Sequence, residues 1–169
     1  MIKTWTPNRL TKLATTAVAA VLSLGGLAPE AKAEQGGEAL FIALDRAGVE
    51  VVIEACEKDT SYGFYRSFVG HTDPGSIHIC TNVATTSNDR WETLRHEAVH
   101  AAQHCRSTDF ETVMTDEWLE KSHSRQDAQF IMESYDRSDW VIELEAFTLE
   151  HAPNGFIAQL VNQNCSWRF

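Results

Sequence analysis

Apolar residues follow two periods along this chain, and the periods divide it into helices and strands. They recur three or four positions apart in five segments, which predicts helices over 38–47, 89–105, 125–134, 138–151 and 156–164. Three shorter segments are rich in β-branched and aromatic residues, which predicts strands over 49–55, 62–69 and 76–81. We interpret segment 108–122 as a short helix or a packed loop. Strands followed by a helical C-terminal half predict an α+β domain with a small three-stranded sheet.

The helix over 89–105 separates two kinds of side chain. On a projection of about 100° per residue, one arc holds the apolar set Trp91, Leu94, Ala98, Ala101, Ala102 and Cys105. The opposite half holds the polar set Thr93, His96, Glu97, His100 and His104. The Thr, Ser, Asn and Asp residues over 85–89 are typical of a helix start. We therefore expect one side of this helix to face the core and the other to carry chemistry.

The polar side contains an HExxH pattern, because residues 96–100 read His-Glu-Ala-Val-His. Side chains four positions apart lie one above the other on a helix, so His96 and His100 can bind one metal ion. Glu97 lies beside them, where a carboxylate can hold a metal-bound water. The pattern predicts a zinc hydrolase, most often a peptidase. The alternative is a surface helix with two solvated histidines, which the clean separation of the two faces disfavours.

The helix over 138–151 carries two candidates for a third metal ligand, Glu143 and Glu145. Glu145 projects into a face formed by Val141, Ile142, Leu149 and Ala152, whereas Glu143 shares its face with Glu150 and Asp139. A lone carboxylate among apolar side chains is unfavourable unless it is paired or bound to metal. The projection therefore favours Glu145 over Glu143 as third ligand. The alternative for Glu145 is a salt bridge to Arg95.

The remaining polar aromatic residues are weaker candidates. Tyr135, His123 and His151 could stabilise an oxyanion, although packing alone is the preferred interpretation of Tyr135. His104 lies a further helical turn, about 5.4 Å, beyond His100, so we expect it at the rim of the site. His78 is predicted to be a strand or surface residue.

The first 33 residues have the pattern of a cleaved export signal. A basic start precedes an apolar run over 13–28, and Ala31 and Ala33 form a small-x-small cleavage site. The run is short for a membrane span, so an uncleaved anchor is the less favoured alternative. We expect a signal peptide over 1–33, a single domain over 34–169 and no stable membrane insertion after cleavage. The protein is then periplasmic or secreted.

The chain is acidic, with 14 basic and 24 acidic residues and a formal net charge of −10. The predicted leader holds four basic residues and one acidic residue, so the mature protein is more acidic still. This charge argues against nucleic acid and anionic membrane surfaces as partners. It leaves the oligomeric state open.

All four cysteines, Cys56, Cys80, Cys105 and Cys165, follow the predicted leader. An even number in an exported chain predicts two disulfides, for which three pairings exist. We favour Cys56–Cys80, joining neighbouring strand regions, with Cys105–Cys165 pinning the C-terminus to the motif helix. A cysteine-ligated structural zinc is disfavoured because the chain has no C-x-x-C pair.

Strands, then an HExxH helix, then a helix with a Glu resemble the zincin metallopeptidases in their small, glutamate-liganded form. The resemblance covers Tyr62 to Glu150, and HEAVHAAQ also looks like a group of small exported bacterial proteins. It implies a minimal zincin-like fold in which zinc is bound by His96, His100 and Glu145. It also implies that the strand before the motif helix, over 76–80, is the sheet edge that holds substrate. Gln103 and Arg106 stand where a metzincin has Gly and His, so that branch is rejected.

The expected function is therefore zinc-dependent hydrolysis of a peptide or protein substrate, with Glu97 activating a zinc-bound water. One alternative is a non-catalytic exported binding domain that keeps the zincin scaffold. Another is a structural or inhibitory disulfide-stapled domain in which HExxH is accidental.

Overall fold

The computed structural model describes residues 36–57, 61–67 and 72–166, which form six helices and three strands. In chain order these are α1 Gly37–Arg46, β1 Glu50–Glu54, β2 Gly63–Arg66, β3 Ser76–Cys80, α2 Ser87–Arg106, α3 Asp116–Ser122, α4 Arg125–Ser134, α5 Trp140–Leu149 and α6 Asn154–Cys165. The α+β class and the helical C-terminal half are confirmed. Segment 108–122 consists of a packed loop followed by α3. The predicted signal peptide over 1–33 lies outside the described residues.

The sheet has the order β1-β3-β2, with β3 parallel to β1 and antiparallel to β2. The expectation that the strand over 76–80 forms a sheet edge is wrong, because β3 is paired on both sides. β1 and β2 are therefore the two outer strands of the sheet. β2 packs against α2, and Gly63 permits the close approach. A Cβ on Gly63 would lie 2.5 Å from both Thr93 Cγ2 and His78 O.

The core lies between the sheet, α1, α2 and α6. Ile77 and Ile79 of β3 and Leu40 and Leu44 of α1 are all buried. The apolar arc of α2 is buried in the same cluster, and its alanines allow α6 to pack closely against it. Each fully buried Leu or Ile stabilises the fold by about 1.5–3 kcal/mol. The apolar side of α2 therefore fixes the direction in which its histidines point.

Two disulfides hold this arrangement, and they have the pairing that the sequence analysis favours. Cys56–Cys80 joins the end of β1 to β3, with a Cα–Cα distance of 5.2 Å. Cys105–Cys165 joins the end of α2 to the end of α6, with a Cα–Cα distance of 5.0 Å. Both distances are ordinary for disulfides. Within the described ranges, every helix is too short or too polar to cross a membrane.

Candidate metal centre

Helix α2 carries the HExxH residues into the protein interior. It begins at a capping box, in which Thr86 Oγ1 accepts from Asp89 N and Thr86 N donates to the Asp89 carboxylate, each at 3.1 Å. His96, Glu97 and His100 are each only 2% exposed. The alternative of two solvated histidines is therefore excluded, because the polar side of α2 packs against α5.

Three ligand atoms converge between α2 and α5. His96 Nε2 and His100 Nε2 each lie 3.5 Å from Glu143 Oε2. The three ligand atoms lie within 4.8 Å of one another. Two ligands bound to zinc at about 2.1 Å with tetrahedral angles are about 3.4 Å apart, so the two His–Glu separations fit a zinc ion. Glu143 is 1% exposed, so the cluster is shielded from water.

The structure places Glu145 outside this cluster, and Glu143 takes the position expected for Glu145. Glu145 accepts hydrogen bonds from Val113 N at 2.9 Å, Met114 N at 2.7 Å and Gln103 Nε2 at 2.8 Å. The buried carboxylate thus has partners, as the projection required, but they are amides rather than a metal ion. The salt bridge to Arg95 is also not formed, because Arg95 donates to Glu150 O and to Asn154 Oδ1.

Each ligand histidine is held through its other ring nitrogen. His96 Nδ1 lies 3.1 Å from Glu150 Oε2, and His100 Nδ1 lies 2.8 Å from Gln103 Oε1. Glu150 and Gln103 are themselves buried. Partners of this kind orient metal-binding imidazoles and strengthen them as ligands. Neither residue is among the site residues expected from the sequence. The signal for Gln103 is its i+3 spacing to His100 on one helix face, and the signal for Glu150 is the helix face that it shares with Glu143.

The electrostatics of the centre reflect an excess of buried carboxylates. Burial alone would lower the pKa of His96, but hydrogen bonds to Glu143 and Glu150 raise it to about 10. Burial alone would raise the pKa of Glu143, but attraction to His100 and His96 holds it well below its usual range. Three carboxylates, those of Glu97, Glu143 and Glu150, surround two imidazoles. A divalent cation would neutralise this excess of negative charge.

Glu97 lies between the cluster and the edge strand. Burial raises the pKa of its carboxyl group, and the Glu143 charge acts in the same direction. Attraction to His96 and His100 and a hydrogen bond from Tyr65 N–H act in the opposite direction. A carboxylate with a raised pKa, next to a candidate metal position and not a member of the ligand set, has the properties of a general base.

An aromatic layer covers the cluster on the side of α4. The Phe147 ring packs against His96 with a centroid distance of 4.8 Å, and Phe130 and Tyr135 pack against Phe147. Tyr135 Oη is buried and has no hydrogen-bond partner among the described residues. Burial raises the pKa of Tyr135, and the charges of Glu143 and Glu97 add to the effect. Tyr135 is therefore packed as expected, and its hydroxyl remains a proton donor.

The other predicted candidates lie away from the ligand atoms. His104 Nδ1 lies 3.0 Å from Tyr65 Oη, and the His104 ring stacks on Phe110, so His104 does not join the cluster. His123 Nδ1 lies 2.8 Å from Leu119 O, and His151 is exposed beside Glu92. His78 is a strand residue, as expected.

Comparison with known proteins gives one family. The family described as "Domain of unknown function (DUF8637)" matches residues 39–165, a span that contains the whole candidate centre. No curated protein and no solved structure matches the chain.

Proposed function

This chain belongs to the DUF8637 family, and we propose that it is a zinc-dependent hydrolase that cleaves peptide bonds. One observation carries the proposal: His96 Nε2, His100 Nε2 and Glu143 Oε2 converge in a buried cluster, with Glu97 beside it. Two histidines and one carboxylate are the ligand set of catalytic zinc in several peptidases. Among the described residues the cluster has three members, which leaves a fourth position for water or substrate.

The metal position and Glu97 would have different roles in the reaction. Zinc bound at this site would lower the pKa of a water molecule and polarise the scissile carbonyl. Glu97 accepts a proton as a water oxygen forms a bond to the carbonyl carbon. It then donates this proton to the leaving nitrogen as the C–N bond breaks. The raised pKa of the Glu97 carboxyl suits a group that must both accept and return a proton.

Tyr135 supplies a hydrogen-bond donor close enough to the centre for the charges of Glu143 and Glu97 to raise its pKa. Its buried hydroxyl has no partner in the described part of the chain, and such an atom is unfavourable unless a ligand satisfies it. We assign Tyr135 to the oxyanion that develops on the carbonyl oxygen. One such donor commonly contributes about 10²–10³-fold to a rate.

Edge strand β2 is the surface on which we place an extended substrate. β2 is the outer strand next to Glu97, since Tyr65 N–H donates to the Glu97 carboxylate. A peptide added next to β2 would run past this carboxylate and would pair with the backbone groups of β2 other than Tyr65 N–H, which stays on Glu97. This replaces β3 as the substrate-binding strand.

Substrate entry requires movement, because His96, Glu97, His100 and Glu143 are all buried. Helices α3 and α4 are the elements we expect to move. Leu119 is the only buried residue of α3 and Ile131 the only buried residue of α4. Segments with so few buried apolar contacts open at a small fraction of the global unfolding free energy. Displacing α4 would also displace Phe130 and Tyr135 from Phe147.

The proposed enzyme acts outside the cytoplasm. Two disulfides are typical of proteins from oxidising compartments, such as the periplasm or the extracellular space. With the predicted leader over 1–33, they support a periplasmic or secreted enzyme. A peptide or protein in the same compartment is the proposed substrate.

The test combines metal analysis with one conservative variant. We expect about one zinc per purified chain. Glu97→Gln should retain the metal while lowering the rate of peptide-library cleavage by about 10²–10⁴-fold. Glu92→Gln is a matched control on the same helix, with a partly exposed carboxylate, and should leave the rate unchanged. A protein that neither contains zinc nor takes it up on reconstitution would exclude this function and leave an accidental HExxH.

A second candidate is a non-catalytic binding domain on the same scaffold. The complete burial of the cluster favours it, because the described conformation gives substrate no direct path to the metal position. Stoichiometric zinc in a protein that cleaves no member of a broad peptide library would support this second candidate.

A further inference from the structure

We propose that Gln103 is a positioning residue that fixes His100 in the tautomer able to bind metal, and that Glu145 and the Ile142 carbonyl fix Gln103 in turn. The hydrogen-bond chain is continuous and buried. Gln103 and Glu145 are both fully buried. The assignment of the tautomer stands on the hydrogen bonds alone, and only the consequence for zinc rests on the proposed function.

The orientation of the Gln103 amide follows from its neighbours. Gln103 Nε2 lies 3.0 Å from Ile142 O and 2.8 Å from Glu145 Oε2. A carbonyl oxygen and a carboxylate oxygen are acceptors, so the amide nitrogen of Gln103 must face them. The reversed amide would place its oxygen against two other oxygens in a buried site, where such contacts are strongly unfavourable.

The orientation of Gln103 decides where His100 carries its proton. With Nε2 engaged, Gln103 Oε1 faces His100 Nδ1 at 2.8 Å and can only accept. Neutral His100 must therefore hold its proton on Nδ1 and keep a lone pair on Nε2. Nε2 is the atom that lies 3.5 Å from Glu143 Oε2 in the ligand cluster. The chain of hydrogen bonds thus prepares Nε2 for metal before any ion is bound.

The same chain gives Glu145 a role that its position outside the cluster does not suggest. Its carboxylate also accepts from Val113 N and Met114 N, so it is fixed by the loop that precedes α3. A glutamine is required at position 103, because it must accept on one side and donate twice on the other. Leucine can neither accept nor donate, methionine offers only a weak sulfur acceptor, and an ionised glutamate cannot donate.

The direct test is the tautomer of His100 in the zinc-free wild-type protein. Imidazole ¹⁵N NMR at a pH where the His100 ring is neutral distinguishes the two tautomers. We expect the proton on Nδ1. A proton on Nε2 in the wild type would overturn the proposal, and this measurement needs no variant to fold.

Two variants extend the test. Gln103→Leu removes both the acceptor and the donors of the side chain, so it cannot hydrogen-bond to Nδ1. The His100 proton should move to Nε2, and zinc affinity should fall by about 10- to 100-fold, as for loss of other residues that orient a metal ligand. Glu145→Gln can still offer an oxygen to Gln103, so it should keep the Nδ1 tautomer.

Gln129→Leu is the matched control. Gln129 also donates to a glutamate, Glu133 at 2.9 Å, but does so on the exposed side of α4. This variant should change neither the tautomer nor zinc affinity. An unchanged tautomer in folded Gln103→Leu would overturn the proposal. If instead the wild type shows the Nδ1 tautomer yet binds no zinc, the proposed function fails and the tautomer assignment stands.

Discussion

Among the described residues, the sheet cluster of His78, Glu54 and Ser76 and the helical centre of His96, His100 and Glu143 use histidine ring nitrogens in different ways. In the sheet, His78 Nδ1 lies 2.8 Å from Glu54 Oε1 and His78 Nε2 lies 2.9 Å from Ser76 Oγ, so protein partners engage both nitrogens. In the helical centre, His96 and His100 use Nδ1 for a protein partner and direct Nε2 towards Glu143. A histidine next to a carboxylate is therefore not in itself a metal site. Convergence of the second nitrogens separates the two clusters.

Burial adds to this difference. Glu54 is 48% exposed, so water and salt weaken its interaction with His78. Glu143 is 1% exposed, and its interactions with the two histidines act in a medium of lower polarity. Each region also has its own disulfide, Cys56–Cys80 in the sheet and Cys105–Cys165 beside the helical centre. The two regions can therefore be perturbed separately.

The largest effects are expected from removing the disulfides. The sequence separations are 24 for Cys56–Cys80 and 60 for Cys105–Cys165. Loop-closure entropy then predicts a loss of about 3.5 kcal/mol for a double alanine variant of the first pair and about 4.3 kcal/mol for the second. Urea unfolding measures both. A larger loss from the sheet disulfide would mean that strain or residual structure, rather than loop length, dominates.

Glu143 and Glu145 give the next contrast, because they lie two positions apart on α5 and have opposite roles. Glu145→Ala leaves three amide donors in the interior without their acceptor. At about 1–3 kcal/mol for each buried donor, with water replacing part of the loss, we expect a stability loss of about 3 kcal/mol. Its effect on zinc affinity should stay within about tenfold, because Gln103 keeps its bond to Ile142 O.

Glu143→Ala should act chiefly on zinc binding. Loss of a direct ligand should weaken zinc binding by more than the about 10- to 100-fold that an orienting residue contributes. Metal-free stability should fall as well, since Glu143 Oε2 lies 3.5 Å from both His96 Nε2 and His100 Nε2, so zinc affinity is the property that separates the two variants. Chelator competition and thermal unfolding of the two variants decide the assignment. Loss of zinc from Glu145→Ala alone would restore Glu145 as the ligand.

The sequence predicts most of the fold and most of the candidate centre, and the two predictions depend on different features of the chain. Periodicity, the capping box of α2 and turn residues specify local structure, and five predicted helices and three predicted strands correspond to observed elements. HExxH specifies His96, Glu97 and His100 because a single helix fixes their relative positions. Strand order was not available in this way, since it depends on long-range pairing. The edge position expected for β3 came from the resemblance to zincins, and the pairing of β3 with both β1 and β2 contradicts it.

Helical projection favoured Glu145, whereas the structure brings Glu143 to the two histidines, and this difference has a physical reason. A helical projection separates roles only when one side of the helix faces solvent. In α5, residues at positions 142, 143, 145, 146, 147 and 149 are all buried and only Val141 is exposed, so buried apolar and polar groups share most of the helix surface. Glu145 meets backbone amides on one side and Glu143 meets His96 and His100 on another. The way the helices pack decides which partner lies on which side, and the sequence of α5 alone does not specify this packing.

Replacing one histidine in each cluster tests the contrast between the clusters directly. His100→Ala should lower zinc affinity by about 100-fold or more, because it removes one of three ligands. His78→Ala should leave zinc affinity unchanged, because the His78 ring nitrogens are engaged by Glu54 and Ser76. Titration with zinc in the presence of a competing chelator measures both affinities. Equal losses in the two variants would show that zinc binding depends on the fold in general rather than on this cluster.

The smallest effect is expected for the carboxylate of the sheet cluster. Glu54→Gln removes the charge beside His78 but keeps an oxygen that can accept from Nδ1. Exposed ion pairs contribute about 0.2–1 kcal/mol, so we expect a stability loss below about 1 kcal/mol, smaller again in high salt. The corresponding change in the helical centre, Glu150→Gln, replaces a buried carboxylate 3.1 Å from His96 Nδ1 and should lower zinc affinity by about tenfold. Urea unfolding at low and high salt, with zinc titration of both variants, measures the two changes. If Glu54→Gln lowered zinc affinity as much as Glu150→Gln, the two clusters would be coupled, and burial and convergence would not distinguish a metal centre from a structural histidine.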